Sequence, residues 1–328
     1  MMGLRLRRLV LGIVLTAATP LGNALGAQRT GPVLIGALTE SWGPTPADVG
    51  LRDGLIALGH RENEDFVIGV RFTQGDPAAL PGAAQDLVQR GAEVIVTSGG
   101  VNAAKAAQMA TDRIPIVFMG SSDPVALGLV QSFARPGGNI TGIADLNVEL
   151  APKRMEILRE LVPGLKRVLL AYNASDAYSV AQLGPLRDSA RALKITLVEK
   201  AVRTESEARA ALAGVRKGEV DGILAPRSLS LNIPGFILEF APRRAIPTMF
   251  DDPLWIERGG LASYSANFYR VGQQAARLVD KIIKGAKPAD IPVEQPMRFE
   301  LVINLKTAKA LGIAIPPSVL VRTDRLIQ

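Results

Sequence analysis

No cysteine occurs among the 328 residues. That excludes disulfides, thiolate metal sites, a cysteine nucleophile and the lipid-modified cysteine that would tether an exported protein. His60 is the only histidine, so a metal site would have to be built from carboxylates and a Ser-His-Asp arrangement would have to use His60. It lies in a polar connection (HRENED), where it is expected to be a solvated turn residue, at the sheet end opposite to where ligands bind in α/β folds. There is no GxGxxG after a strand, no GxxxxGK[ST] and no GxSxG. These absences argue against an enzyme and against a resident cofactor. Aromatic residues make up 5% of the chain against 48% hydrophobic residues, so the cores must be aliphatic, as buried parallel sheets usually are.

The N-terminus carries Arg5, Arg7 and Arg8 without an acid, then an apolar run over 9–18, then small residues around ALGA (24–27). This is the pattern of a secretory signal peptide, and the run is about half of the ~20 residues a spanning helix needs. Residues 1–27 are therefore expected to be removed on export, leaving a soluble periplasmic protein that is not lipid-anchored. Without those arginines the formal charge falls from +7 to +4. No dense basic run remains, so nucleic acid is not an expected partner.

The stretch FARPGGNITG (133–142) divides the chain into two halves that resemble one another, and is read as a hinge. Short β-branched runs at 33–38, 67–72, 94–97 and 116–119 precede it, and runs at 168–172, 195–199, 222–225 and 247–250 follow it. All alternate with segments of helical periodicity. The expected fold is α/β, with two Rossmann-like lobes built on parallel sheets and a cleft between them. Near the end, Asn304 is expected to cap a helix over 305–311, and Pro316-Pro317 to hold the tail extended.

Ligands of such sheets bind beyond the carboxyl ends of the strands. In the first half those ends deliver Glu40, Ser41 and Trp42, then Ser98, Gly99 and Gly100, then Ser121 and Asp123. Glycines ahead of a helix let backbone N–H groups approach an anion, and the helix dipole favours negative charge there; the same glycines also serve simply as turns. Asp123 can receive a ligand ammonium or cap the following turn. In the second half the ends deliver Asn173, Ser175 and Tyr178, then Arg227, then Asp251 and Asp252. The last two form an acid pair for catalysis or a cation, or else one binds a ligand amine or hydroxyl while the other caps a helix. Trp42 and Tyr178 are candidate apolar walls of the cleft, or pack against their own lobes. Asn139-Ile140-Thr141 matches a glycosylation sequon, read as accidental.

The closing segments KGAKPADIPVEQP (284–296), FELVINLKTAKALG (299–312) and IPPSVL (315–320) resemble those of a family of ABC-transporter solute-binding proteins. IPIVF (114–118), SDPVALGLV (122–130) and ARPGGNITG (134–142) are similar to the same family. The resemblance implies a type I periplasmic-binding-protein fold with a three-strand hinge. Lobe 1 would comprise 31–143 plus 265–298, and lobe 2 144–264 plus 299–328. Some relatives bind aromatic amino acids. The usual Tyr-Gly of the final crossing reads Tyr264-Ser265 here, and Phe268-Tyr269 stands where an acid is usual. The function expected is an extracytoplasmic, monomeric receptor that captures a small carboxylated solute, such as an amino acid, and delivers it to a membrane permease of an ABC transporter. A sensory module presenting the same closed form to a membrane signalling protein is the alternative. A hydrolase using Asp251 and Asp252 is a third class, and would turn over a bound ligand.

Overall fold

The computed structural model describes residues 31–216, 218–225 and 231–328, with only the backbone of 177 and 178. The segment read as a signal peptide and Arg227 lie outside the described residues. In chain order the first half runs β1 (Val33–Thr39), α1 (Pro46–Ala57), β2 (Phe66–Phe72), α2 (Leu80–Gln89), β3 (Val94–Ser98), α3 (Val101–Ala110), β4 (Ile116–Ser121) and β5 (Ile140–Ala144). It continues with α4 (Asn147–Leu161), β6 (Arg167–Asn173), α5 (Ala177–Ala181), α6 (Leu183–Leu193), β7 (Thr196–Val202), α7 (Glu205–Ala213) and β8 (Gly222–Leu224). Then come α8 (Ile233–Phe240), β9 (Thr248–Phe250), α9 (Leu254–Glu257), β10 (Ala262–Ala266) and α10 (Phe268–Ile283), and finally β11 (Phe299–Asn304), α11 (Leu305–Ala310), α12 (Pro317–Leu320) and β12 (Arg325–Ile327).

Two sheets result. The first has the order β2-β1-β3-β4-β5 and is parallel throughout. The second has the order β12-β11-β10-β9-β8-β6-β7 and is parallel except where β11 runs against β10. Each is covered on both faces by aliphatic clusters. Val33, Ile35 and Ala37 pack with α1 and α10, while Leu38, Ile95 and Phe118 pack with α2 and α3. In the second lobe Val168, Leu170 and Ile303 pack with α4 and α6, and Leu169, Ile223 and Phe250 with α7 and α8.

The chain passes between the sheets at three places. It leaves β5 through Asp145 and Leu146 into α4, which packs in the second lobe. It leaves β10 through Asn267 into α10, which packs on α1. It returns through 295–298 into β11, after Glu294 has bridged to Ile143. The return of α10 to the first lobe is written in its small residues. A Cβ at Gly50 would lie 2.0 Å from the Tyr269 carbonyl oxygen, and one at Gly272 2.0 Å from that of Ala47. Helix α1 starts as the sequence dictates, with Thr45 and Asp48 closing a capping box and Pro46 in the first turn.

Three expectations are corrected. The turn before residue 140 is not the hinge: β5 follows it and pairs with β4, with Gly142 allowing the close approach, since a Cβ there would lie 2.2 Å from the Phe118 carbonyl oxygen. The tail after Pro316 is not extended. Pro317 opens the short α12, because a proline's fixed φ and missing N–H suit a helical first turn, and β12 then pairs with β11. His60 is not merely a solvated turn residue: its Nε2 lies 2.7 Å from Asp280 Oδ1, tying the end of α1 to α10. Lys284 donates to the other Asp280 oxygen at 2.8 Å.

Candidate ligand-binding cleft

All three crossings leave or enter the sheets at their carboxyl edges. β5 and β10 exit there, and Phe299 enters opposite Ala266. The loops that continue the parallel strands therefore border the crossings, on the side where sheets of this kind hold ligands.

In the first lobe, Glu40 is buried and Trp42 is 75% exposed. Their loop is stitched to the one after β2 by hydrogen bonds from Thr73 N to Thr39 O, Gln74 N to Ser41 O and Gly75 N to Glu40 O. The indole rests over Gly75, where an added Cβ would lie 2.7 Å from Trp42 Cη2. Trp42 is thus a supported aromatic face rather than a core residue. Ser98 is engaged within its own lobe. Its hydroxyl donates to Asp48 Oδ1 at 3.2 Å, and the Asp48 carboxylate also accepts from Thr45 N and Thr45 Oγ1, both at 2.8 Å. Burial pushes the Asp48 carboxyl up, against the lowering effect of the bonds from Thr45 and Ser98. Gly99 and Gly100 have φ of +90° and +132°, and no side chain caps the first turn of α3. The Ser121 hydroxyl is buried without a hydrogen-bond partner among the described residues. Asp123 is exposed, with φ +38°, and its carboxylate accepts from Ala126 N at 3.0 Å, so it caps the turn that follows.

In the second lobe, Asn173 is buried and its side-chain oxygen accepts from Ser175 N at 2.9 Å, leaving Ser175 exposed beyond it. Asp251 is 2% exposed, whereas Asp252 is half-buried and caps α9 by accepting from Leu254 N at 2.8 Å. The two acids are thus in different environments. Tyr264 turns its ring to its own lobe, 6.3 Å from the Phe299 ring centroid.

Residues that were not candidate ligand contacts in the sequence also belong to this region. Asp145 is buried and accepts from Ser122 Oγ and from Asn147 N. Arg154 is buried on α4, reaching Asn147 and Tyr264. Phe268 packs beside Gly120, where a Cβ would lie 3.2 Å from its ring. Burial pushes the Glu300 carboxyl up, with Arg325 and the Asn267 amide pulling the other way and the Asp324 and Asp252 charges reinforcing the rise. A signal for Arg154 was present: it shares the helical stripe of Ala151, Met155, Leu158 and Leu161, all buried. Asp145 carried none, because β5 ahead of it was not recognised.

Chemically, these loops hold backbone donors at the N-terminus of α3, buried carboxylates at Glu40 and Asp251, and an indole face. A family model described as ABC transporter substrate binding protein matches residues 33–327. A protein from Clostridioides difficile called tyrosine-binding protein is 29% identical over 269 residues, covering 81% of this chain and 76% of the relative. The structure of an ABC domain in complex with L-Trp from Streptococcus pneumoniae superposes with a TM-score of 0.80 at 28% identity, over 90% of this chain and 100% of the other. A conserved domain protein from Vibrio cholerae gives a TM-score of 0.79 at 29% identity, over 90% of this chain and 99% of the other.

Proposed function

Because the chain belongs to the ABC transporter substrate binding protein family, we propose that it captures a small amino acid or related carboxylated solute between its lobes and hands it to a membrane permease. One observation carries the reading. The carboxyl-edge loops hold, in the first lobe, a helix start opened by Gly99 and Gly100 with no side-chain cap among the described residues and, in the second lobe, the buried Asp251 carboxylate. A carboxylate suits the first, where the helix dipole favours negative charge by roughly 0.3–1 kcal/mol when exposed and more when partly buried. An ammonium suits the second. Trp42 offers a face for an apolar or aromatic group, and Arg227 a further anion contact. Substrate-binding proteins of this family act outside the cytoplasm, and residues 1–27 act here as a cleaved export signal, leaving a soluble monomer without a lipid anchor. Among the described residues no helix is long and apolar enough to cross a membrane.

Calorimetric titration with tryptophan, tyrosine, phenylalanine, leucine and non-amino carboxylates tests this. At least one carboxylated solute should bind, and Trp42→Ala and Asp251→Asn should each weaken it by tenfold or more. Absence of binding by every carboxylated solute, or unchanged affinity in both variants, would overturn the assignment.

A further inference from the structure

Arg154 is the largest fully buried side chain among the described residues, at 2% exposure. Taking a guanidinium out of water is costly unless its N–H groups are well used, and a leucine or methionine would fill the same stripe of α4 without that cost. Its donors go to the crossings. Nε donates to the Tyr264 carbonyl at 2.7 Å, just ahead of the point where β10 leaves the second lobe. Nη1 donates to the Asn147 carbonyl at 3.1 Å and Nη2 to Asn147 Oδ1, at the point where the chain from β5 enters that lobe.

The first-lobe side of these crossings is fixed separately. Asp145 is held by Ser122, Ala144 N donates to Glu294 O at 2.8 Å, and Glu294 N donates to Gly142 O at 3.0 Å. On the side of the second sheet, Asn267 N donates to Arg298 O at 2.9 Å, and its side chain to Glu300 on β11 at 3.1 Å, so the second and third crossings run together. Between the fixed ends lies Leu146, a non-glycine residue in the left-handed region at φ +54°. Such a residue is held there by its surroundings.

We infer that Arg154 is a positioning residue for ligand capture: it locks the second-lobe ends of the first two crossings at one spacing, so that the lobes turn about a fixed pivot. The role has meaning for a receptor that closes, the reading proposed above, but its test needs no ligand. The chain has no cysteine, so Asp112→Cys and Arg191→Cys place nitroxide labels at one exposed site on each lobe and nowhere else. The distribution of distances between them is measured by pulsed electron resonance on the full chain.

Arg154→Met should at least double the width of that distribution. Arg154→Lys should give intermediate broadening, because one ammonium cannot span both crossings, and Asn147→Ala the smallest. Leu212→Ala, in the second-lobe core and remote from the crossings, should lower Tm without broadening. The inference is overturned if folded Arg154→Met keeps the parent width, or if Leu212→Ala broadens the distribution as much. Should Arg154→Met fail to fold, unchanged widths in both Arg154→Lys and Asn147→Ala would overturn it equally.

Discussion

In the first lobe the returning helix α10 meets α1 backbone to backbone, at Gly50 and Gly272, whereas in the second lobe α4 meets β10 through the buried guanidinium of Arg154. The first contact has no side chain to rearrange. At the two glycines the fit is one of shape, an added Cβ colliding with a carbonyl, while Tyr269–Asp53 and His60–Asp280 join the same elements by their side chains. The second is directional and polar, and specifies a position rather than filling a space. At these two contacts the first lobe relies on close packing and the second on hydrogen bonds aimed at the crossings.

The largest test of this contrast is a pair of glycine substitutions. Gly272→Ala sets a methyl against the Ala47 carbonyl and should cost about 3 kcal/mol or more, at or beyond the upper end for overpacking. Gly222→Ala in the second lobe meets the side chains of Leu165 and Leu158 at 2.9 and 3.3 Å, which can yield, and should cost about 1–2 kcal/mol. Denaturant unfolding measures both, and equal losses would erase the distinction.

The helix caps give a smaller difference. Thr45 belongs to a cap network that includes Asp48 and Ser98, so Thr45→Ala should cost about 2 kcal/mol. Thr204, an exposed cap whose hydroxyl oxygen accepts from Glu207 N, should cost about 0.5 kcal/mol when replaced by Ala. The same unfolding curves decide.

The smallest effects are electrostatic. Burial works to raise the Asp280 carboxyl, but Lys284 and His60 outweigh it and hold it below the ordinary value; Arg167 does the same for Asp221 in the second lobe. A depressed carboxylate contributes stability that is complete above its unfolded pKa and is lost as pH falls through the folded one. Asp48, raised by burial, has the opposite sign: its folded form holds the proton more tightly, so its contribution declines as pH rises from the unfolded value through the folded one. Melts between about pH 5 and pH 3 should therefore show a shallower acid loss for Asp280→Asn and Asp221→Asn, and a steeper one for Asp48→Asn, each within about 1 kcal/mol.

The contrast between lobes also marks where the sequence was readable. β1 through β4 and β6 through β9 announce themselves as β-branched runs between caps and glycines; burial on both faces demands this of the inner strands, while the edge strands β2 and β7 are only partly buried. β10 does not: its sequence ASYSA buries Ser263 and Ser265, hydroxyls without hydrogen-bond partners among the described residues, where a strand is ordinarily apolar. β5 was hidden by Gly142, required by the Phe118 carbonyl rather than by any turn. At the cleft, the strand-end loops were legible from topology, but which of Asp251 and Asp252 turns to the following helix was left open by the sequence and is seen only in the bond from Leu254 N to Asp252. What the loops share across the chain was not: Ser98 bound to Asp48, or Arg154 bridging Asn147 and Tyr264, joins residues 50 and 110 positions apart, and no local pattern encodes such partners.

The central claim is that one ligand is held by both lobes, and hydrogen exchange with and without the tightest-binding amino acid tests it most directly. Protection should rise together at 98–102, at 173–176 and 251–252, and at the crossings around 145–147 and 266–268. Protection confined to the loops of a single lobe, with the crossings unchanged, would contradict it.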